Sequence, residues 1–378
     1  MTWKVPLFKI YSDDEDIEKI STVLKRGSYW CTGNEIEEFE NKISDYIGTK
    51  YCALFNSGTS ALHCILMSYG IGEGDEVIVP SFTFISTANS VLFVGAKPVF
   101  SEIENDTYGM DIEDVQNKIT PKTKAIIPVH YGGCPAKYIR ELKELAEDNK
   151  IYLFEDAAEA FGAKIDNKKI GTFGDSAMLS FCQNKIITTG EGGAVVTDSK
   201  DIYNKLKLLA SHGREDKQNY FSTTDSLDYV TLGYNFRMPT MNAALGLSQI
   251  KKTDKLIKAR RKNAKIYNNK LSSIDNVKIS KIPDNYFSVY QLYTIQIKKG
   301  LRDKLKSFLE NKGIFTKIYF DPVHLSKFYR NKFLYKEGDL PITEEISKNV
   351  LTIPMHPLLL EEEIDYVTST IKNFFEEV

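Results

Sequence analysis

A lysine, an aspartate and a short run of hydroxyls carry the chemistry that this sequence can perform. Lys185 ends the stretch Ser180-Phe181-Cys182-Gln183-Asn184-Lys185 and is followed by TTGEGG, a glycine-rich pattern that predicts an irregular loop after a strand. A lysine there is either an ordinary solvated charge or, held out of water near other cations, an amine of lowered proton affinity able to form a Schiff base. Asp156 follows the apolar run IYLF and is succeeded by Ala157-Ala158-Glu159-Ala160. A carboxylate at a strand end is either a helix cap or the partner of a protonated ring nitrogen. The small residues after it leave room for a flat ring, and Glu159 can approach the same cavity. Ser57-Gly58-Thr59 lies between a third apolar run and a helical pattern. It reads as a common hydroxyl cap, or as an anion cradle built from free amide N–H groups at a helix start. Ser180 is placed to add a phosphate donor. Lysine, ring-nitrogen carboxylate and phosphate cradle together are the set that pyridoxal phosphate requires.

The elements that must position these residues alternate. Apolar runs at 51–55, 76–79, 97–100, 125–129, 151–154, 177–181 and 193–197 predict strands, and amphipathic patterns at 59–69, 85–94 and 136–150 predict helices between them. Two further helices are predicted ahead of this beat, over 13–26 with Asp13 as cap and Gly27 as stop, and over 34–48. Such alternation implies an α/β fold with a mostly parallel sheet covered on both faces, and ligands then bind beyond the carboxyl ends of the strands. After about residue 240 the rhythm changes. One long helix is expected over 242–271, with Lys258, Arg260 and Arg261 on exposed faces. Strands are expected over 277–279, 290–297 and 314–318, and helices over 301–311 and 362–375. The expected organisation is a large domain, 12–251, and a smaller α+β domain, 252–378, joined by the N-terminal segment 1–11.

Composition narrows the class. Lys plus Arg number 49 against 51 Asp plus Glu, a net charge of -2, which argues against broad nucleic-acid binding. The five cysteines include no CxxC pair, so neither a disulfide framework nor a cysteine-based zinc site is expected, and the histidines show no metal-ligand spacing. The N-terminus reaches acidic residues before any long apolar run, and no stretch is long and apolar enough for a membrane helix. A cytoplasmic location is the expectation.

The motifs NSGTSAL, PSFTF, EDAAEAFGA, SFCQNKIITTGEGG, GYNFRM and IPMHP, in this order, resemble the DegT/DnrJ/EryC/StrS family of pyridoxal-phosphate-dependent nucleotide-sugar aminotransferases, over nearly the whole chain. The resemblance implies the fold-type-I architecture. It implies Lys185 as the Schiff-base lysine, Asp156 on the pyridine nitrogen, and Ser57, Gly58, Thr59 and Ser180 on the phosphate. Phe84, whose other reading is core packing, would lie against the ring. Asn235 would reach the phosphate from a neighbouring subunit, making the protein a homodimer. Glu159 stands where many members carry Gln or His. It is similar to the GDP-perosamine synthase branch and to amination at carbon 4. His324 matches a family histidine near the sugar-nucleotide entrance, and its other reading is structural. His130 and His212 could edge the pocket, and Arg237 is either an ion-pair residue or a border of the site.

By the same resemblance, L-glutamate is the amino donor and a nucleotide-linked 4-keto-6-deoxyhexose the acceptor, with GDP-4-keto-6-deoxymannose giving GDP-perosamine. UDP- or dTDP-linked sugars, amination at carbon 3, and a non-catalytic binding protein are the alternatives. Surface-glycan or lipopolysaccharide (O-antigen) synthesis is the family-level setting.

Overall fold

A computed structural model describes residues 3–215, 223–224, 227–298 and 300–377. Two helices lead the chain, α1 (Asp14–Arg26) and α2 (Glu35–Ile47). Asp13 caps α1 in a reciprocal box with Asp16, and Gly27 ends it at φ 68°, as the sequence indicates. The beat then follows: β1 (Tyr51–Phe55), α3 (Gly58–Ser68), β2 (Glu76–Pro80), α4 (Ser86–Phe93), β3 (Lys97–Ser101), α5 (Ile112–Lys118), β4 (Thr123–Ile126), α6 (Ile139–Asp148) and β5 (Tyr152–Asp156). After the short pair β6 (Lys164–Ile165) and β7 (Lys168–Lys169) come β8 (Ser176–Ser180), β9 (Gly193–Thr197) and α7 (Lys200–Ala210).

Seven of these strands form one sheet in the order β1-β9-β8-β5-β4-β2-β3. Its neighbours run parallel except at β9, which is antiparallel to both β1 and β8. Side chains alternate between two cores, as the period of two demands. Cys52 and Leu54 of β1 join α2 and α6 on one face. Ala53 and Phe55 join α3, α4 and α7 on the other. The carboxyl ends of β1, β2, β5 and β8 therefore meet at one edge, and the motif residues follow those ends.

The expected single helix over 242–271 is two, α8 (Thr240–Ile250) and α9 (Thr253–Leu271). The break falls at Lys252, whose buried amine bonds to Asp16 (2.9 Å) and Asp13 (2.5 Å) at the start of α1. Arg260 is a second correction: it is buried and donates to the carbonyls of Tyr290, Gln291 and Met355, each at 3.2 Å. Three carbonyls from distant segments outweigh the solvation that its charge suggests.

The chain continues through β10 (Val277–Ile279), β11 (Tyr286–Phe287), β12 (Tyr293–Ile297), α10 (Arg302–Asn311), α11 (Lys327–Phe333), α12 (Pro341–Asn349), β13 (Val350–Ile353) and α13 (Glu361–Glu377). The strand expected at 314–318 is not formed. Ile314 makes only an isolated bridge to Val5, and Lys317 one to Thr352. The third strand of the β10-β12-β13 sheet is β13 instead. A separate core collects Val5 with residues of α9, β12, β13 and α13. Among the described residues no helix is long and apolar enough to cross a membrane, and no group of His, Cys, Asp and Glu is placed to hold a metal ion.

Candidate active site

A cavity of about 320 Å³ opens at the carboxyl edge of the large sheet. Ser57, Gly58, Thr59, Phe84, Asp156, Glu159, Ser180 and Lys185 all line it. Ser57 is the N-cap of α3, its hydroxyl accepting from the Ser60 amide at 3.1 Å. The first amides of α3 thus face the cavity with the positive end of the helix dipole. This approach requires glycine at the start of β9. A Cβ on Gly193 would sit 2.5 Å from the Gly58 nitrogen and the Ser57 carbonyl. Ser180 ends β8 opposite Gly193 in register, so its hydroxyl comes to the same place.

Asp156 ends β5 and is buried. Its Oδ2 accepts from Thr87 Oγ1 at 2.7 Å and its Oδ1 from the Ala158 amide at 3.1 Å. Thr83 lies 2.8 Å from Thr87. Since Thr87 spends its one hydrogen on Asp156, Thr83 donates to Thr87, giving a directed chain of hydroxyls. Burial pushes the Asp156 carboxyl above its ordinary range, against the pull of Thr87, Ala158 and the nearby Lys185 charge. A buried carboxylate so held is matched to a cation that enters the cavity.

Lys185 Nζ stands 3.5 Å from Glu159 Oε1, while Glu159 Oε2 accepts the Gly132 amide at 2.7 Å. Phe84 is 60% exposed at the cavity wall, with its ring centroid 6.4 Å from that of Phe320, so the core-packing reading does not hold.

Three histidine expectations end elsewhere. His324 is fully buried and outside the cavity. Its Nδ1 lies 2.6 Å from Ser81 Oγ and its Nε2 3.2 Å from Glu344. It ties the 321–326 segment to the end of β2, which corrects the substrate contact expected for it. His130 is likewise buried, accepting the Ala136 amide at Nδ1 and facing Glu155 at Nε2 (3.1 Å). His212 is exposed in a turn and does not line the cavity. Asn235 is exposed, does not line this cavity, and bridges to Ser211. Arg237 donates to Ser211 Oγ at 3.1 Å.

Sequence reasoning missed Thr83, Thr87, Lys317, Tyr319 and Phe320, which also line the cavity. Thr87 carried a usable signal, since it sits in the first turn of α4 just after the PSFTF motif. The 317–320 segment carried none, lying more than 130 residues from Lys185 in an irregular stretch. Beyond it lies a larger groove of about 650 Å³ that shares Thr83, Phe84, Lys317, Tyr319 and Phe320 with the cavity.

An amine beside a carboxylate, a buried aspartate and a hydroxyl-lined helix start, gathered at the edge of an α/β sheet, define a pyridoxal-phosphate enzyme of fold type I. A family model described as the DegT/DnrJ/EryC1/StrS aminotransferase family matches residues 11–372, and the chain belongs to that family. The GDP-perosamine synthase of Escherichia coli O157:H7 is 35% identical over 372 residues, 98% of each chain. Among solved structures, DesV of S. venezuelae superposes with a TM-score of 0.92 at 33% identity over all of both chains. Spr1654 of Streptococcus pneumoniae, solved in a PLP-form, gives 0.92 at 26% identity, over 99% of this chain and 99% of its own. The protein is a pyridoxal-phosphate-dependent sugar aminotransferase.

Proposed function

We infer that the chain transfers the amino group of L-glutamate to a nucleotide-linked 4-keto-6-deoxyhexose, and specifically to GDP-4-keto-6-deoxymannose, giving GDP-perosamine. The observation that carries this reading is the placement of Lys185 and Glu159 in a cavity that opens into the larger groove. The cavity has the size of a cofactor ring with a small substrate, and the groove leaves room for a nucleotide. The likeness to the E. coli GDP-perosamine synthase supports the choice of sugar and base.

Bound pyridoxal phosphate supplies an electron sink that stabilises negative charge on the carbon bearing the amino group. The chain does the rest. Ser57, Thr59 and Ser180 hydroxyls and the first amides of α3 would hold the phosphate. Asp156 would hold the protonated ring nitrogen, and Phe84 would face the ring from the cavity wall. The Lys185 amine would take a proton from the α-carbon of glutamate, whose nitrogen is kept for the acceptor while water supplies the keto oxygen of the departing 2-oxoglutarate. In the second half it returns a proton to carbon 4 of the sugar. Glu159 keeps that amine aimed into the cavity. Asn235 serves the phosphate of a second copy in a cytoplasmic homodimer, which fits its exposure and its absence from its own cavity. We read 12–251 as the cofactor-binding unit, and 252–378 with 1–11 as a smaller unit that adds Lys317, Tyr319 and Phe320 to the wall.

The test is an absorbance titration. Enzyme converted by L-glutamate is mixed separately with GDP-, UDP- and dTDP-4-keto-6-deoxy sugars. Return of the original visible band with the GDP sugar alone supports the proposal. Return with another nucleotide replaces the base, and return with 2-oxoglutarate alone removes the sugar.

A further inference from the structure

Gln291 is buried, and its Nε2 lies 2.5 Å from the carbonyl oxygen of Asn184, the residue before Lys185. A carbonyl only accepts, so the amide nitrogen must face it. The other end of the amide, Oε1, is buried without a partner among the described residues. The side chain thus leaves its whole acceptor end unused to make this single bond, an arrangement that costs stability unless the bond serves something else.

The adjoining backbone reaches the other end of the lysine. Leu292 N donates to Gly132 O at 3.1 Å, Gly132 N donates to Glu159 Oε2 at 2.7 Å, and Glu159 Oε1 stands 3.5 Å from Lys185 Nζ. Residues 291–292 therefore grip the lysine twice, through the main chain at Asn184 and through the carboxylate beside its amine. The two backbones touch because residue 133 is glycine: at φ 88°, a Cβ there would lie 2.7 Å from Gln291 N. Lys185 itself sits in a turn, its amide donating to Cys182 O, outside any strand or helix. Its position depends on tethers from elsewhere in the chain.

We propose that Gln291 is a positioning residue for Lys185, acting through the Asn184 carbonyl. The inference rests on the reading of Lys185 as the catalytic amine. Two near-isosteric variants test it. Gln291→Met keeps the volume and removes the donor. It should lower kcat per loaded site by about 10- to 100-fold, the scale of a small misplacement of a reacting group, with KM for both substrates within about twofold of wild type. In cofactor-free protein it should also speed amide hydrogen exchange over 182–187.

Gln291→Glu sets a carboxylate against the carbonyl and regains a donor only when protonated. Its kcat relative to wild type should therefore rise as pH is lowered from about 8.5 to about 6, since a carboxyl buried against an acceptor titrates high. A Met variant with kcat within about twofold of wild type and unchanged exchange, or a Glu variant whose ratio to wild type is flat with pH, overturns the proposal. A Lys185→Ala enzyme that converts glutamate within about tenfold of the wild-type rate refutes instead the reading of Lys185, whatever the exchange data show.

Discussion

Thr87 donates its hydroxyl hydrogen to Asp156 Oδ2 at 2.7 Å, and this bond joins α4 to the end of β5 beneath the cavity. Thr87→Val removes the donor while keeping the shape. The Asp156 carboxyl, already raised by burial, should rise further and hold a ring cation less well. A hydrogen bond to a charged group contributes about 1.5–3 kcal/mol, so kcat should fall by roughly tenfold or more and cofactor affinity should drop with it. Thr87→Ser should recover most of both. A Val variant equal to wild type in kcat and cofactor Kd would remove Thr87 from the account.

Lys317 lines both the cavity and the groove, and among the described residues its amine has no carboxylate at ion-pair distance, only the Tyr319 ring at 4.8 Å. The other groove cations are committed. Arg302 bonds Asp303 and the carbonyls of Ser347 and Val350, and Lys348 pairs with Glu337. Among the described residues of the groove, Lys317 is thus the cation left to meet the diphosphate of the proposed substrate. Lys317→Ala should raise KM for the nucleotide sugar about tenfold, an effect that weakens with salt, and leave the rate of the glutamate half-reaction unchanged. Stopped-flow measurement of each half separates the two. Equal damage to both halves would contradict this role.

His356 is buried, and neither ring nitrogen has a partner among the described residues. Burial first, then the charges of Lys9 and Arg260, lower its pKa to about 4, with Glu363 opposing. An unfolded histidine titrates near 6.5, so between these values the unfolded chain binds the extra proton. Stability is then present above about pH 6.5 and declines toward pH 4, by up to about 3 kcal/mol from this group. His356→Leu should flatten that part of the profile. Urea midpoints at about pH 7 and about pH 5 check it, and parallel losses in variant and wild type would show that His356 is not responsible.

The strand-end residues were readable in sequence because each follows an apolar run whose direction is set by the βα alternation. Lys185, Asp156, Ser57 and Ser180 needed no tertiary information to be placed at one edge. His324 and Arg260 were misjudged for a common reason. Their partners, Ser81 for one and three carbonyls for the other, lie 243 residues away in the first case and 30 to 95 in the second, and no local pattern announces them. Lys317, Tyr319 and Phe320 were missed because an irregular segment has no periodicity to read. The two-helix break at Lys252 depends on acids at the other end of the chain.

In the proposed mechanism the Lys185 amine moves the proton in both halves of the reaction. Lys185→Ala, loaded with cofactor and mixed with L-glutamate in a single-turnover absorbance experiment, tests it most directly. The variant should be a folded protein that binds cofactor but converts it at least about 10³-fold more slowly than wild type, with no completed transfer to any nucleotide sugar. Conversion within about tenfold of the wild-type rate would contradict the mechanism.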